Sequence, residues 1–130
     1  GGGALLREKI VASCAKQFLV IADESKRVKR LGAFALPVEV IPMAVTPLRQ
    51  RLAADLGCPV TVRQAAGQPF RTDEGNPILD WACGEIRDAA ALARTLDAIP
   101  GVVEHGLFVA MADMVIFAGA GGVRTMGSLD

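Results

Sequence analysis

Apolar and polar positions follow two rhythms along this chain, and the switches between them mark its elements. After Gly1-Gly2-Gly3 a helical period runs from about Ala4 to Ala15. At about 100° per residue, Ile10, Val11, Cys14 and Ala15 gather on one side, and Lys9, Ser13 and Lys16 on the other. Arg7 and Glu8 fall on or beside the apolar arc, so the spacing turns both charges towards the packed side. Phe18 to Ala22 is an apolar run with both faces buried in pattern, as in a parallel strand flanked by helices. It ends in a polar loop, Asp23-Glu24-Ser25-Lys26. Val38 to Met43 reads as a strand with Pro42 near its end. Thr46-Pro47 predicts an N-cap followed by proline at the first helical position. Leu48, Leu52 and Leu56 then recur at i, i+4 and i+8, and Gly57 is the stop. Val60 to Arg63, Pro77 to Ala82 and Val102 to Phe108 are further strands, and Arg71 to Asn76 is turn chemistry. Asp88 caps a helix carrying Leu92, Leu96 and Ile99, which Pro100-Gly101 ends. Met114 to Ala118 is a last buried-type strand, expected to return to the sheet of residues 18–22, and Gly119, Gly121 and Gly122 suggest a turn.

The middle stretch spells β-α-β-β-α-β, the split βαβ order. The predicted fold class is therefore α/β. Residues 1–35 and 109–130 form part of a doubly wound, Rossmann-like sheet, and residues 36–108 form an inserted, ferredoxin-like α+β subdomain. Composition supports a packed globular chain: 52% of the 130 residues are hydrophobic and 22% charged. Lysines and arginines number 14, as do the acids, so charge offers no reason to expect a nucleic-acid or anionic-membrane partner. No apolar run approaches the ~20 residues of a membrane span. Cys14, Cys58 and Cys83 stand far apart without a CxxC pair, and one histidine, His105, does not complete a zinc site. The thiols read as reduced, small buried hydrophobes of a cytosolic protein. The chain opens within a glycine run without an initiator methionine, which suggests a truncated or cleaved polypeptide.

Three places can carry chemistry. Glycines before a helix let a ligand approach bare backbone N–H groups, with the positive helix end behind them; a flexible terminus reads the same way. Glu8, turned to the apolar side, is costly unless paired or used. Desolvation there raises a carboxyl pKa, which suits a general base. A first-turn acid complementing the helix dipole is the competing explanation. Lys26, just past a strand end, sits where open α/β sheets receive phosphates or carboxylates, although a solvated loop lysine beside Lys29 and Arg30 has the same appearance. His105 reads as a half-buried or surface histidine, Asp73 and Glu74 as solvated turn acids, and Trp81 as a core or interface residue. Arg49, Arg51, Arg63 and Arg71 are too dispersed for a patch.

Five segments together resemble the A-type ribose-5-phosphate isomerases. They are Gly1-Gly-Gly-Ala-Leu-Leu-Arg-Glu-Lys9, Ile21-Ala-Asp-Glu-Ser-Lys26, Leu36-Pro-Val-Glu-Val-Ile-Pro42, Thr72-Asp-Glu-Gly-Asn76 with Ile78-Leu-Asp80, and Ile99-Pro-Gly-Val-Val103 with Gly106-Leu-Phe108. They stand in the family's order and cover nearly the whole chain. The resemblance implies interconversion of ribose 5-phosphate and ribulose 5-phosphate without metal or organic cofactor. It implies Glu8 as the proton acceptor, Gly1 and Gly2 at the sugar end of the substrate, and Lys26 near its phosphate. It also implies a homodimer or homotetramer assembled through the α+β subdomain. The family's lysine before the glycine run, its upstream aspartate motif and its N-terminal phosphate loop are not in this sequence. The expectation is a chain with little activity alone, whose partner is a missing N-terminal fragment. A non-catalytic association module and a sugar-phosphate-binding regulator are the competing readings.

Overall fold

A computed structural model describes residues 2–129. Helix α1 (Leu5–Cys14) leads to strand β1 (Leu19–Asp23), which a short 3-10 turn, Glu24–Lys26, closes. Two sheets follow from the chain order. In the first, β1 pairs in parallel with β8 (Met114–Gly119), Leu19 opposite Met114 and Asp23 opposite Ala118. Strand β9 (Gly122–Gly127) returns antiparallel to β8, so the order is β1-β8-β9. The expected return of the last strand to the sheet of β1 is thus present. Both strands are fastened at their entry: Phe18 N–H donates to Asp113 Oδ2 at 2.6 Å, and Asp113 N–H donates to the Phe18 carbonyl at 2.9 Å.

The second sheet holds β2 (Leu36–Val40), β3 (Val60–Val62), β6 (Ile78–Trp81) and β7 (Val102–His105) in the order β3-β6-β2-β7. All neighbours are antiparallel, as a split βαβ pattern demands. Side chains alternate across a strand, and the two central strands use both sides. Leu36, Val38, Val40, Leu79 and Trp81 join Leu48 and Leu52 of α2 (Val45–Leu56) and Leu96 of α3 (Ala89–Asp97) in one core. On the opposite side Glu39 is buried and satisfied. Its Oε1 accepts from Thr72 Oγ1 at 2.8 Å and from Asn76 Nδ2 at 3.0 Å, which ties the 72–76 turn to the sheet.

Several local expectations change. Helix α2 begins at Val45, after a 3-10 turn over Pro42–Ala44, and its N-cap is Ala44 without a side-chain bond. Thr46 and Pro47 therefore lie inside its first turn, where a proline is harmless because those N–H groups lack helical partners. Gly57 is the left-handed stop at φ 63°, and Asp88 caps α3 through a 2.8 Å bond from Ala91 N–H. Strand β7 ends at His105. Gly106 then lies against the Pro37 ring, where an added Cβ would meet Pro37 Cγ at 2.7 Å. Two features were not foreseen, a small β4–β5 hairpin (Gln64–Ala65 with Gln68–Pro69) and β9. The hairpin turns on Ala66 and Gly67, both at positive φ, and alanine gives no turn signal. Every residue of β9 is exposed, so no buried face imprints an alternation.

The largest change concerns α1 and β1. Strand β1 is not covered on both faces: Ile21 is 70% exposed. In α1 the buried residues are Leu5 and Ala12, with Lys9 between them on the same face, while Ile10 and Val11 are exposed. The helix, which contacts β7, is rotated so that Ile10 and Val11 face outward and the face carrying Leu5, Lys9 and Ala12 turns inward. The periodicity located the helix; the anchors that orient it are ionic.

The core assignment predicts an asymmetry between the sheets. Leu79→Ala, at a site with no exposure, should cost about 2–5 kcal/mol in a urea unfolding curve. Val123→Ala on β9, at 69% exposure, should stay within about 0.5 kcal/mol of the parent. Equal losses at both positions would place the cooperative core elsewhere.

Candidate active site

The site begins where the chain cannot carry a side chain. Gly3 has φ 87°, and a Cβ there would lie 2.9 Å from Ile78 Cδ1 and 3.0 Å from Phe70 Cε1. The backbone entering α1 thus rests directly on the four-stranded sheet. Beneath it Arg63 is gripped by Asp80, Nε to Oδ2 at 2.9 Å and Nη2 to Oδ1 at 2.6 Å, with its guanidinium 5.9 Å from the Phe70 ring centre. The fork-on-fork geometry fixes the guanidinium plane. The Asp80 carboxylate raises the Arg63 pKa further.

From that start α1 brings Glu8 to two cavities. The larger, about 1110 Å³, is walled by α1, β1 and β8; Glu8, Lys26 and Phe108 all line it. The smaller, about 310 Å³, is lined by Gly3, Glu8, Arg63 and Phe108 among others. Glu8 and Phe108 belong to both. Lys26 reaches the larger cavity from the 3-10 turn that ends β1. Asp23 builds this turn by accepting from Ser25 N–H at 2.9 Å. Bonds from the Ser25 side chain and backbone hold the Asp23 carboxyl below its ordinary range. Gly2 is exposed and lines neither cavity, and Gly1 lies outside the described residues.

Glu8 is exposed, not desolvated by packing. The rotation of α1 is the reason, since the side chain looks across an open cavity. Its neighbours in sequence are the ones held. Arg7 bonds Glu74 at 2.5 Å and approaches Asp73 at 3.5 Å, so those turn acids are paired. Lys9, read from spacing as a solvent residue, is the more deeply placed. Its ammonium donates to Glu104, lies 3.3 Å from His105 Nδ1, and sits 5.1 Å from the Phe108 ring centre.

His105 is likewise a correction: it is buried, at 2% exposure. Leu107 N–H donates to its Nδ1 at 3.2 Å, and its Nε2 lies 3.0 Å from Asp97 Oδ1. Desolvation, followed by the Lys9 charge, pushes its pKa below the ordinary value; Asp97 and Glu104 act in the opposite direction. Asp97, Glu104 and His105 bring possible metal-ligating atoms within 4.8 Å of one another. The Lys9 ammonium already occupies the Glu104 and Nδ1 side, so the group is a hydrogen-bonded network and a poor seat for a second cation. Lys9, Arg63 and Phe108 were missed as contributors to the site. A buried lysine leaves no periodic trace when its partners come from a strand far along the chain.

A carboxylate and an ammonium thus face one cavity whose apolar walls come from an α/β sheet and its helix, an arrangement suited to an anionic polar small molecule. Residues 1–122 match the family model of ribose 5-phosphate isomerase A (phosphoriboisomerase A). The ribose-5-phosphate isomerase A of Sinorhizobium fredii is 54% identical over 97% of this chain and 57% of its own length. That of Chloroflexus aurantiacus is 47% identical over 100% and 55%. Among solved structures, the enzyme of Methanocaldococcus jannaschii superposes with a TM-score of 0.89 at 40% identity, over 98% of this chain and 57% of that one. A D-ribose-5-phosphate isomerase in complex with phospho-erythronic acid gives 0.87 at 33% identity, over 93% and 54%. The chain belongs to the ribose 5-phosphate isomerase A family. It spans a little over half the length of the curated relatives it matches.

The buried histidine yields a pH prediction. A neutral native His105 binds no proton where the unfolded chain does, so stability is flat above the unfolded value of about 6.5 and falls as pH drops through it. The unfolding midpoint should decline between pH 7.5 and 5, and His105→Gln should flatten that decline. An unchanged slope in the variant would remove His105 as its source.

Proposed function

We propose that this chain contributes the general base and a phosphate-side cation to an aldose–ketose isomerase acting on D-ribose 5-phosphate and D-ribulose 5-phosphate. The observation that carries the reading is that Glu8 and Lys26 line the same cavity in a chain of this family. Glu8 removes the proton from C2 of the aldose, and the electron pair forms the C1–C2 enediolate. Return of the proton to C1, with transfer of the O2 proton to O1, gives the ketose. One carboxylate serves as base and then as acid. A relative solved with phospho-erythronic acid supports the reading, because a four-carbon acid phosphate carries anionic oxygens where an enediolate would. Lys26 answers the phosphate. In this reading the proton transfer uses no metal or organic cofactor.

The proposal extends to partners. The exposed Ile10, Val11 and Ile21, with β1 paired on one side only among the described residues, fit a further polypeptide segment completing the sheet and the cavity wall. Self-association as a homodimer or homotetramer fits residues 36–108, the oligomerisation subdomain in this reading, where Met43 is 85% and Ile41 42% exposed. The unbridged cysteines suit a reducing cytosol, and no helix among the described residues is long and apolar enough to cross a membrane.

Three measurements test this. The purified chain alone should turn over ribose 5-phosphate at least about 100-fold more slowly than an enzyme of the relatives' full length carrying this sequence, for want of oxyanion and phosphate donors; comparable rates refute that. In the longer enzyme, Glu8→Gln should lower kcat by about 10²–10⁴-fold, and survival of turnover removes Glu8 as the base. Lys26→Ala should weaken ribose 5-phosphate binding about tenfold or more by calorimetry, and unchanged affinity takes Lys26 off the phosphate.

A further inference from the structure

Glu8 is an exposed residue of a helix that hydrophobic packing does not orient. The apolar arc of α1 faces outward, and only Leu5 and Ala12 are buried along it. Something else sets the rotation that points Glu8 into the cavity. Two charges flank Glu8 in sequence, and both reach the four-stranded unit. Arg7 does so through an exposed pair with Glu74, and exposed pairs hold geometry weakly. Lys9 does so from a side chain only 14% exposed, onto a Glu104 side chain 16% exposed. Leu5, Lys9 and Ala12 stand at i, i+4 and i+7, which is one face of a helix. Anchoring Lys9 therefore fixes where position 8 must point.

The ammonium is held from three directions: the Glu104 carboxylate, His105 Nδ1 at 3.3 Å, and the face of Phe108 at 5.1 Å. Phe108 is also the wall that both Glu8 cavities share, so one lysine ties the base to its wall. His105 is arranged to receive it. Two donors, Leu107 N–H and Lys9, converge on Nδ1, which must carry the lone pair; Nε2 then carries the proton and donates to Asp97 Oδ1. A proton at Nδ1 would cancel the acceptor and set a cation against the ammonium. The charged groups facing the ring are Lys9 from α1, Asp97 from α3 and Glu104 from β7.

We propose that Lys9 is the positioning residue for Glu8, that it is clamped by Glu104, Phe108 and the Nε2–H tautomer of His105, and that protonation of His105 loosens the clamp and turns the base away from the cavity. This rests on the reading of Glu8 as the base.

The activity test uses an enzyme of the relatives' full length carrying this sequence. Lys9→Met should lower kcat about tenfold or more, since a base misplaced by an ångström loses rate steeply, with KM for ribose 5-phosphate within about twofold. Lys9→Arg, which keeps the charge, should restore part of the loss. His105→Gln should flatten the acid-side fall of kcat between pH 7.5 and 5.5, each profile scaled to its own value at pH 8. A kcat unchanged in Lys9→Met, while Glu8→Gln is inactive, overturns the positioning role and leaves the base assignment standing. An active Glu8→Gln overturns both. If Lys9→Met does not fold, the His105→Gln profile decides: an unflattened acid limb sinks the clamp. Independently of activity, ¹⁵N spectra of this chain at pH 7.5 should report a protonated Nε2 and a bare Nδ1 for His105, and the opposite tautomer contradicts the clamp.

Discussion

The ion pair between Lys9 and Glu104 is the contact on which the arrangement turns. It joins a helix at the start of the chain to a strand near its end. Without it, α1 has two buried side chains, Leu5 and Ala12, and an exposed salt bridge to the 72–76 turn to hold it in place. Breaking a pair that is largely withdrawn from water leaves the surviving charge without compensation, at about 3–5 kcal/mol in buried examples. The partly exposed setting here lowers that figure. An apolar anchor of equal size would hold as firmly but would set the helix rotation less sharply, because hydrophobic contact has no direction. Glu104 and the ring nitrogen of His105 supply the direction.

That also explains where the sequence could be read and where it could not. The split βαβ order of residues 36–105 was legible because its core obeys period: Leu36, Val38 and Val40 alternate on one strand, and Leu48 and Leu52 recur on one helix face. Glycine and aspartate at fixed ends, Gly57 and Asp88, punctuated it. Helix α1 was legible as a helix and misread in rotation. Its apolar arc invited the assumption that apolar means buried, whereas Ile10 and Val11 are exposed. The buried arc is marked by Lys9, and a lysine announces burial only once its acid is known. Glu8 and Lys26 were singled out by helical spacing and strand-end position and given roles by motif resemblance, and both line one cavity. The desolvated acid of the spacing argument is in fact exposed.

The two sheets make different demands on their surroundings. The four-stranded sheet is covered by α2 and α3 on one side, and by Gly3 and the Glu39–Thr72–Asn76 network on the other. Its buried polar groups there are satisfied, and satisfied networks fix a unique arrangement. Among the described residues the β1-β8-β9 sheet has an unpaired strand edge at β1, and Ile21 is exposed. Free edges and apolar faces of this kind are rarely left bare. The four-stranded sheet buries residues on both of its faces, whereas the β1-β8-β9 sheet leaves Ile21 exposed.

Catalysis by a carboxylate at an enediolate needs more than the carboxylate. The developing oxyanion is stabilised best by fixed donors in a site from which water is excluded, because the same charge pair at the same distance is worth several times more at low dielectric than in bulk water. Here Glu8 and Lys26 both line an open cavity of about 1110 Å³, so water screens both. The apolar side chains that line it, Val11, Phe18, Val115 and Phe117 among them, can lower the local dielectric only when a further wall closes over them. Under the proposed reading, Val11 of α1, which is exposed and lines that cavity, is part of the surface whose burial would dry the site around Glu8.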